Sequence, residues 1–356
     1  MEVFIIKKLL KSTKFTKIII ILIILIIVWN IVPWIFRVKV YETPKKYTQP
    51  IGKKDINVSS KYSDFLNISQ NYTTIPGLKE GAIPQGMCYS QKYKMLIISS
   101  YHQGGAPSIL HFIDYETGKL IKTLILKNDN NSFYKGHAGG LATDNNKLWL
   151  VDNYTIYEYS LSELLELKDM EYAIPHQKNG TITKADFSAY SEGILWVGEY
   201  HYPFIYPTKE SHYIQLPNGE KNHALLLGYK LDDKGDIDYQ NPNFAISVPS
   251  KIQGLTFSKE GNFVISQSFW SFESSEIRTY QNILEIKTAD TFRINEKEIP
   301  LWILSEDKLI KKITLPPMVE AIQEIEGKVF TLFESSSNLY KYYTHDRINS
   351  IIKSKL

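Results

Sequence analysis

The sequence predicts an all-β protein, a five-bladed β-propeller, behind an N-terminal transmembrane helix. Three observations predict it. First, short apolar or alternating runs recur between Asn, Asp and Gly turns, as in Gly140–Thr143, Leu148–Val151 and Ile156–Tyr159. Runs of four to six residues punctuated in this way are antiparallel strands rather than helices. Second, the unit repeats. Its opening strand recurs at Gln85, Gly139, Asp186, Gln253 and Glu320, at spacings of 54, 47, 67 and 67 residues. A four-stranded unit of about 40–50 residues is one propeller blade. Third, Tyr72–Pro76 resembles Ala245–Pro249 and Lys312–Pro316, yet stands ahead of the first unit. The last unit lacks a fourth strand, so this N-terminal piece is expected to complete it and close the ring, hiding exposed sheet edges. A six-bladed ring is the alternative count.

Residues 1–17 form a basic segment with Lys7, Lys8, Lys11, Lys14 and Lys17. Ile18–Phe36 follows, 19 residues without a charge. That length spans a bilayer as a helix. The preceding lysines favour a cytoplasmic N-terminus, and Trp29 and Trp34 suit the far interface. A cleaved signal peptide would end in small residues, whereas this run ends in Trp-Ile-Phe-Arg. The expectation is a single-pass anchor in the cell membrane with an extracytoplasmic propeller. Residues 37–71 are polar and read as a stalk or linker.

The propeller is expected over residues 72–345. Its second strands are Met95–Ile98, Leu148–Val151, Leu195–Val197, Phe263–Ile265 and Val329–Phe333. Third strands are expected at Ile109–Asp114, Ile156–Tyr159, Ala224–Tyr229, Ile283–Ile286 and Leu339–Tyr343. Fourth strands are expected at Lys122–Leu126, Tyr172–Pro175, Phe244–Pro249 and Lys311–Pro316. Two long loops, His201–Asn222 and Trp270–Gln281, interrupt the pattern, and residues 346–356 remain as a tail. The net charge is +3, with no basic helix or zinc spacing, which argues against nucleic acid as a partner. Cys88 is the single cysteine, so no intrachain disulfide forms, and its strand position reads as a small buried hydrophobe.

Chemistry is expected where like-placed residues meet. The start of a first strand and the end of its antiparallel second strand lie at the same rim. The starts carry Gln85, His137, Asp186, Gln253 and Glu320. The ends carry Ser99–Ser100, Asp152, Asn153, Glu199, Gln267 and Glu334, with His102 and His201 just beyond. First strands are innermost, so this set is expected at one mouth of the channel. Its carboxylates need a cation, a proton or a cationic ligand, because like charges raise one another's pKa. Oxygen ligands suit Ca²⁺; His with carboxylates suits Zn²⁺ or Mn²⁺.

Two readings stay open. In the first, the mouth binds a small molecule, a peptide or a cell-wall component around a divalent cation. In the second it is an enzyme, a metal-assisted hydrolase or lactonase or an acyl transferase. Asp186 or Glu320 would then be the acid/base and His137 a ligand or proton relay, the three forming the metal set. Ser268–Ser275 and Tyr200–Tyr206 read as aromatic loops on the rim.

The segments PQGMCYS, LIISSYH and ILHFIDYETGKLIKTL, with GGLATDNNKLWLVDN and IYEYSL, resemble the bacterial YVTN and quinoprotein-amine-dehydrogenase-β-like propellers over residues 72–345. That resemblance implies a fold and no particular activity. Gln85-Gly86-Met87, ETGK at 116–119 and Gly140–Asp144 also look like five-bladed glutaminyl cyclases. This second resemblance implies cyclisation of N-terminal Gln in peptides. The GEGL and GWGL elements of those enzymes are altered to Glu320-Ala321-Ile322 and Gly139-Gly140-Leu141.

Overall fold

The structure, a computed structural model, describes residues 16–25, 28, 39–50 and 56–355. The chain divides into two compact units, residues 1–38 and 39–356. In the first, residues 16–25 are helical and their aliphatic side chains are mostly exposed. Among the described residues no helix is long and apolar enough to cross a membrane. Residues 26–27 and 29–36 of the expected 18–36 span lie outside the described residues, as does most of the basic segment 1–17.

The second unit is a five-bladed propeller. Blade I runs outward from the axis through Ala82–Ser90, Met95–His102, Ile109–Asp114 and Leu120–Leu126. Blade II comprises Gly140–Thr143, Lys147–Asp152, Thr155–Ser160 and Gln177–Gly180. Blade III comprises Phe187–Ser191, Ile194–Gly198, Ala224–Lys230 and Phe244–Val248. Blade IV comprises Ile252–Phe257, Phe263–Gln267, Ser275–Tyr280 and Leu309–Leu315. Blade V comprises Val319–Ile325, Lys328–Phe333, Ser350–Ser354 and, outermost, Ser69–Thr74. The N-terminal strand therefore closes the ring.

Local sequence makes these hairpins. Glu192-Gly193 and Glu326-Gly327 join first to second strands with φ of 50° and 76°, and of 52° and 78°. Two successive residues at positive φ match the twist of the flanking strands. The apolar runs are continuous because both faces of a blade are buried. In blade II, Leu148 and Leu150 enter the core shared with blade I, while Trp149 and Val151 enter the core shared with blade III. Five such clusters fill the ring, one between each pair of neighbouring blades, including Ile351 and Leu332 against Met87 and Ile98 at the closure. Full burial of a side chain such as Trp149 contributes about 2–3 kcal/mol.

Three expectations are corrected, and one feature is new. The third strand of blade V is Ser350–Ser354, drawn from the expected tail, and not Leu339–Tyr343. The third strand of blade IV is Ser275–Tyr280; Ile283–Glu285 is a single 3-10 turn. The fourth strand of blade II is Gln177–Gly180, because Tyr172–Ala173 instead pairs in parallel with the outer edge of blade I. The insertion that follows blade IV's third strand adds Lys297–Ile303 and Thr291–Ile294 to the outer edge of blade III. In blade V and at the outer edges of blades I and III, an edge with unpaired backbone groups captured a segment from elsewhere in the chain.

Residues 39–50, read from sequence within the spacer, lie along blade I. Val40 N donates to Gln103 O at 2.7 Å, and Ala106 N donates to Val40 O at 2.9 Å. Tyr47 is buried with Ala82, Ile109 and Ile125. Gln49 Nε2 donates to Thr73 Oγ1, Thr74 O and Gly118 O, joining blade V to blade I.

Candidate functional site

The inner strands of successive blades pack around one axis, and glycine sets how closely they approach. A Cβ at Gly86 would lie 2.8 Å from Leu141 N of blade II; one at Gly254 would lie 2.9 Å from Ile322 N of blade V. Ser99 Oγ donates to Ala138 O at 2.7 Å, and Ser266 Oγ donates to Glu320 O at 3.0 Å. These are the same device in blades I and IV, a glycine on the first strand and a serine on the second gripping the next blade. The recurring Gln85-Gly86 and Gln253-Gly254 pairs are its trace in the sequence.

The grip places the glutamine side of the pair at the mouth. Gln85 Nε2 donates to Glu334 Oε2 at 3.1 Å. Glu334 lies just past the end of blade V's second strand, and Glu320 lies at the start of its first. Glu320 gives a hydrogen bond to Glu334, and both side chains are buried, at 6% and 8% exposure. Loss of solvation, with Glu334 alongside, holds Glu320 well above the ordinary Glu range. Burial lifts Glu334 to about 8, against the hydrogen bonds from Glu320 and Gln85. Two carboxyls in contact cannot both ionise cheaply, so the pair keeps a proton between them.

Tyrosines surround this pair. Tyr340 donates to Tyr101, and burial, reinforced by Glu334 and Glu320, raises the pKa of both phenols. Tyr200 donates to Ser268 O at 3.2 Å and also feels Glu320. Sequence reasoning missed Tyr101 and Tyr340 and took Tyr200 only as part of an aromatic rim loop. Tyr101 directly follows Ser99–Ser100, and Tyr200 directly follows Glu199, so the signal was at the strand ends already singled out. It was hidden because 24 tyrosines are spread through the chain.

A second group lies across blades II and III. His137 lies against Tyr101 with ring centroids 4.7 Å apart and planes tilted by 33°. Its ring is reached by solvent yet surrounded by protein, as expected for a side chain lining a recess; desolvation lowers its pKa against the pull of Asp152. Asp152 accepts from Tyr134 Oη at 2.6 Å. Asp186 accepts from Tyr200 N at 2.8 Å. Burial, opposed by that bond and aided by Glu199 and Asp152, raises Asp186 to about 7.

The remaining sequence-derived residues have other partners. His102 is buried between Tyr47 Oη at 3.1 Å and Pro107 O at 2.9 Å. Glu199 accepts from His212 Nδ1 at 2.9 Å and from Leu225 N at 3.0 Å. His201 bonds Ser250 Oγ at 2.8 Å and stacks on His223. Gln267 Nε2 donates to Ser250 O at 2.6 Å. Asn153 occupies a turn at φ 56°. Gln253 stands half-buried at the start of blade IV. Among the described residues no three His, Cys, Asp or Glu side chains are placed to hold a metal ion. The expectation that Asp186, Glu320 and His137 ligate a divalent cation such as Ca²⁺ finds no support there. Glu320 and Glu334 are instead bonded to one another through the proton they share.

No family model matches the chain, and no curated protein matches it. Similar solved structures include a glutaminyl cyclase of Myxococcus xanthus, 13% identical over 81% of this chain and 95% of that one, with a TM-score of 0.38. Another is the PQQ-bound aldose sugar dehydrogenase of Streptomyces coelicolor, 12% identical over 80% of each chain, with a TM-score of 0.39. A third is a luciferin-regenerating enzyme, 10% identical over 77% of this chain and 91% of that one, with a TM-score of 0.39. Likeness at this level says nothing about activity.

Proposed function

We propose that the chain is a membrane-anchored, extracytoplasmic propeller whose channel mouth binds a ligand through a cationic amine. One observation carries this reading: the proton-sharing Glu320–Glu334 pair, braced by Gln85 beneath Tyr101, Tyr200 and Tyr340. Asp152 and Asp186 add acceptor oxygens nearby, and His137 is held toward its neutral form. An arriving ammonium would replace the shared proton and satisfy both carboxyls. A peptide or cell-wall component presents such groups. Anchoring is supported by the uncharged stretch Ile18–Phe36 behind its lysines.

The test is a titration of the full chain in detergent with ethanolamine and with putrescine, in weak buffer near neutral pH. Binding should raise thermal stability and release a proton. Glu334→Gln and Glu320→Gln should remove both responses, and acetate should produce neither. If no amine gives proton release or stabilisation, this reading fails.

A second reading is an acid–base enzyme. It is favoured by Asp186 at about 7 and Glu334 at about 8, values suited to proton transfer at neutral pH. Asp186 or Glu320 would transfer the proton, with His137 as relay. A turnover assay would show a bell-shaped pH profile whose limbs move in Asp186→Asn.

A further inference from the structure

The loops joining second to third strands all open on the face that carries the channel mouth. Those of blades III and IV meet there in an aromatic seam. Tyr202 stacks on Phe269 with ring centroids 3.4 Å apart, and Lys251 Nζ lies over both rings. Beyond the seam, Phe204, Ile205, Trp270 and Phe272 point outward; Phe204 is fully exposed and Phe272 is 70% exposed. Phe204 and Trp270 sit at φ of 65° and 67°. Bulky residues rarely adopt that backbone conformation, so the seam holds its tips out against a local cost. Tyr154 and Tyr342, on the same kind of loop in blades II and V, are also exposed. The opposite face presents no such aromatic tips in its hairpins: its turns between first and second strands present Lys92, Asp144, Glu192, Lys259 and Glu326, while in blade IV the segment after the third strand exposes Ile286.

The chain also enters on the aromatic face. Val40 is fixed to Gln103 and Ala106, within blade I's loop between second and third strands. Val40 is the fourth residue after Phe36, the end of the apolar stretch. An extended chain covers about 3.3–3.6 Å per residue. On the anchored reading, the tether from Phe36 to Val40 on this face is four residues long, at most about 14 Å.

We propose that this face docks on a lipid bilayer, with the Phe204–Ile205 and Trp270–Phe272 tips inserted among headgroups and acyl chains. The proposal rests on the anchored reading above. Trp and Phe at loop tips, with polar groups behind them, suit the membrane interface.

The propeller has its own closed ring, so residues 39–356 can be tested alone. The fragment is floated with phosphatidylcholine–phosphatidylglycerol vesicles, with and without brominated acyl chains. It should co-float, and the brominated chains should quench Trp270, because Trp149 and Trp196 are fully buried and the half-buried Trp302 lies in the strand Lys297–Ile303 at the outer edge of blade III, away from the loop tips. Phe204→Ser and Phe272→Ser should each weaken binding about tenfold with an unchanged circular dichroism spectrum. Trp270→Phe should retain binding and lose the quenching. A fragment that stays in solution, binds with Trp270 unquenched, or self-associates through these loops overturns the proposal. Failure of the anchored reading is separate: carbonate would extract the full chain from membranes while the fragment still bound vesicles.

Discussion

Glu334 and His111 give the propeller opposite responses to pH. Burial lifts Glu334 to about 8, so from roughly pH 4.5 upward the folded chain keeps a proton that the unfolded chain has lost. Its stabilising effect is complete below the ordinary Glu range and is lost as pH rises through about 8. His111 is fully buried, its Nδ1 paired with Thr123 Oγ1 at 2.8 Å and its Nε2 without a partner. Burial, with His102 nearby, pushes His111 down to about 3. As pH falls from about 6.5 toward 3, the unfolded chain gains a proton that the folded chain excludes, and stability drops. Each group tilts stability by about 1.4 kcal/mol per pH unit within its window. Thermal melts across this range should form a dome. Glu334→Gln should flatten its alkaline side and His111→Asn its acid side; unchanged limbs would contradict these assignments.

Among the elements, the inner strands depend most on what they lack. Gly86 has ordinary backbone angles, yet an added methyl group would meet Leu141 N, Ser99 Oγ and the Gly140 carbonyl carbon within 2.9 Å. Leu141 and Gly140 lie on an inner strand packed between those of blades I and III, and Ser99 on a strand paired on both sides, so these atoms have little room to retreat. Gly86→Ala is expected to cost about 1–3 kcal/mol in urea denaturation. Gly180, at the outer edge of blade II with nothing within 4 Å, is the control; Gly180→Ala should change stability by less than about 0.5 kcal/mol. Equal effects would mean that close approach of the inner strands is not what the glycine provides.

Across the whole molecule, the two ends of the chain complete one blade. Ser350–Ser354 lies between Lys328–Phe333 and Ser69–Thr74, so it joins the closing strand to the ring. Its neighbouring residues serve different seams: Ile351 packs into the core between blades V and I, and Ile352 into that between IV and V. Ile351→Ala and Ile352→Ala should each cost about 2–5 kcal/mol, whereas the half-buried Lys353→Ala should fall within about 0.5 kcal/mol. Equilibrium denaturation would reveal a mistaken closure as near-neutral isoleucine variants. The same disc has two unlike faces, one bearing the acidic mouth and aromatic tips and the other charged hairpin turns. A mouth held toward a membrane would draw its ligand from molecules that the membrane presents.

The ring and the mouth's framework were legible in the sequence because both arise from local repetition. Strand length, turn residues and the repeated Gln-Gly pair are properties of short segments, and repetition assigned them to one architecture. The partners of single side chains were not legible in the same way. Glu199 and Glu334 both follow a second strand, yet Glu199 is bound by His212 from an inserted loop, while Glu334 meets Glu320 and Gln85. The departures at the outer edges of blades I and III and in blade V were chosen by unpaired edges, which a distant segment can fill as well as a near one. Amino-acid order alone determined a closed, repeating β-structure with polar residues at equivalent stations. Tertiary structure decided which of those residues share a proton, which pair elsewhere and which face presents the aromatics, because burial and electrostatic coupling depend on distances between blades.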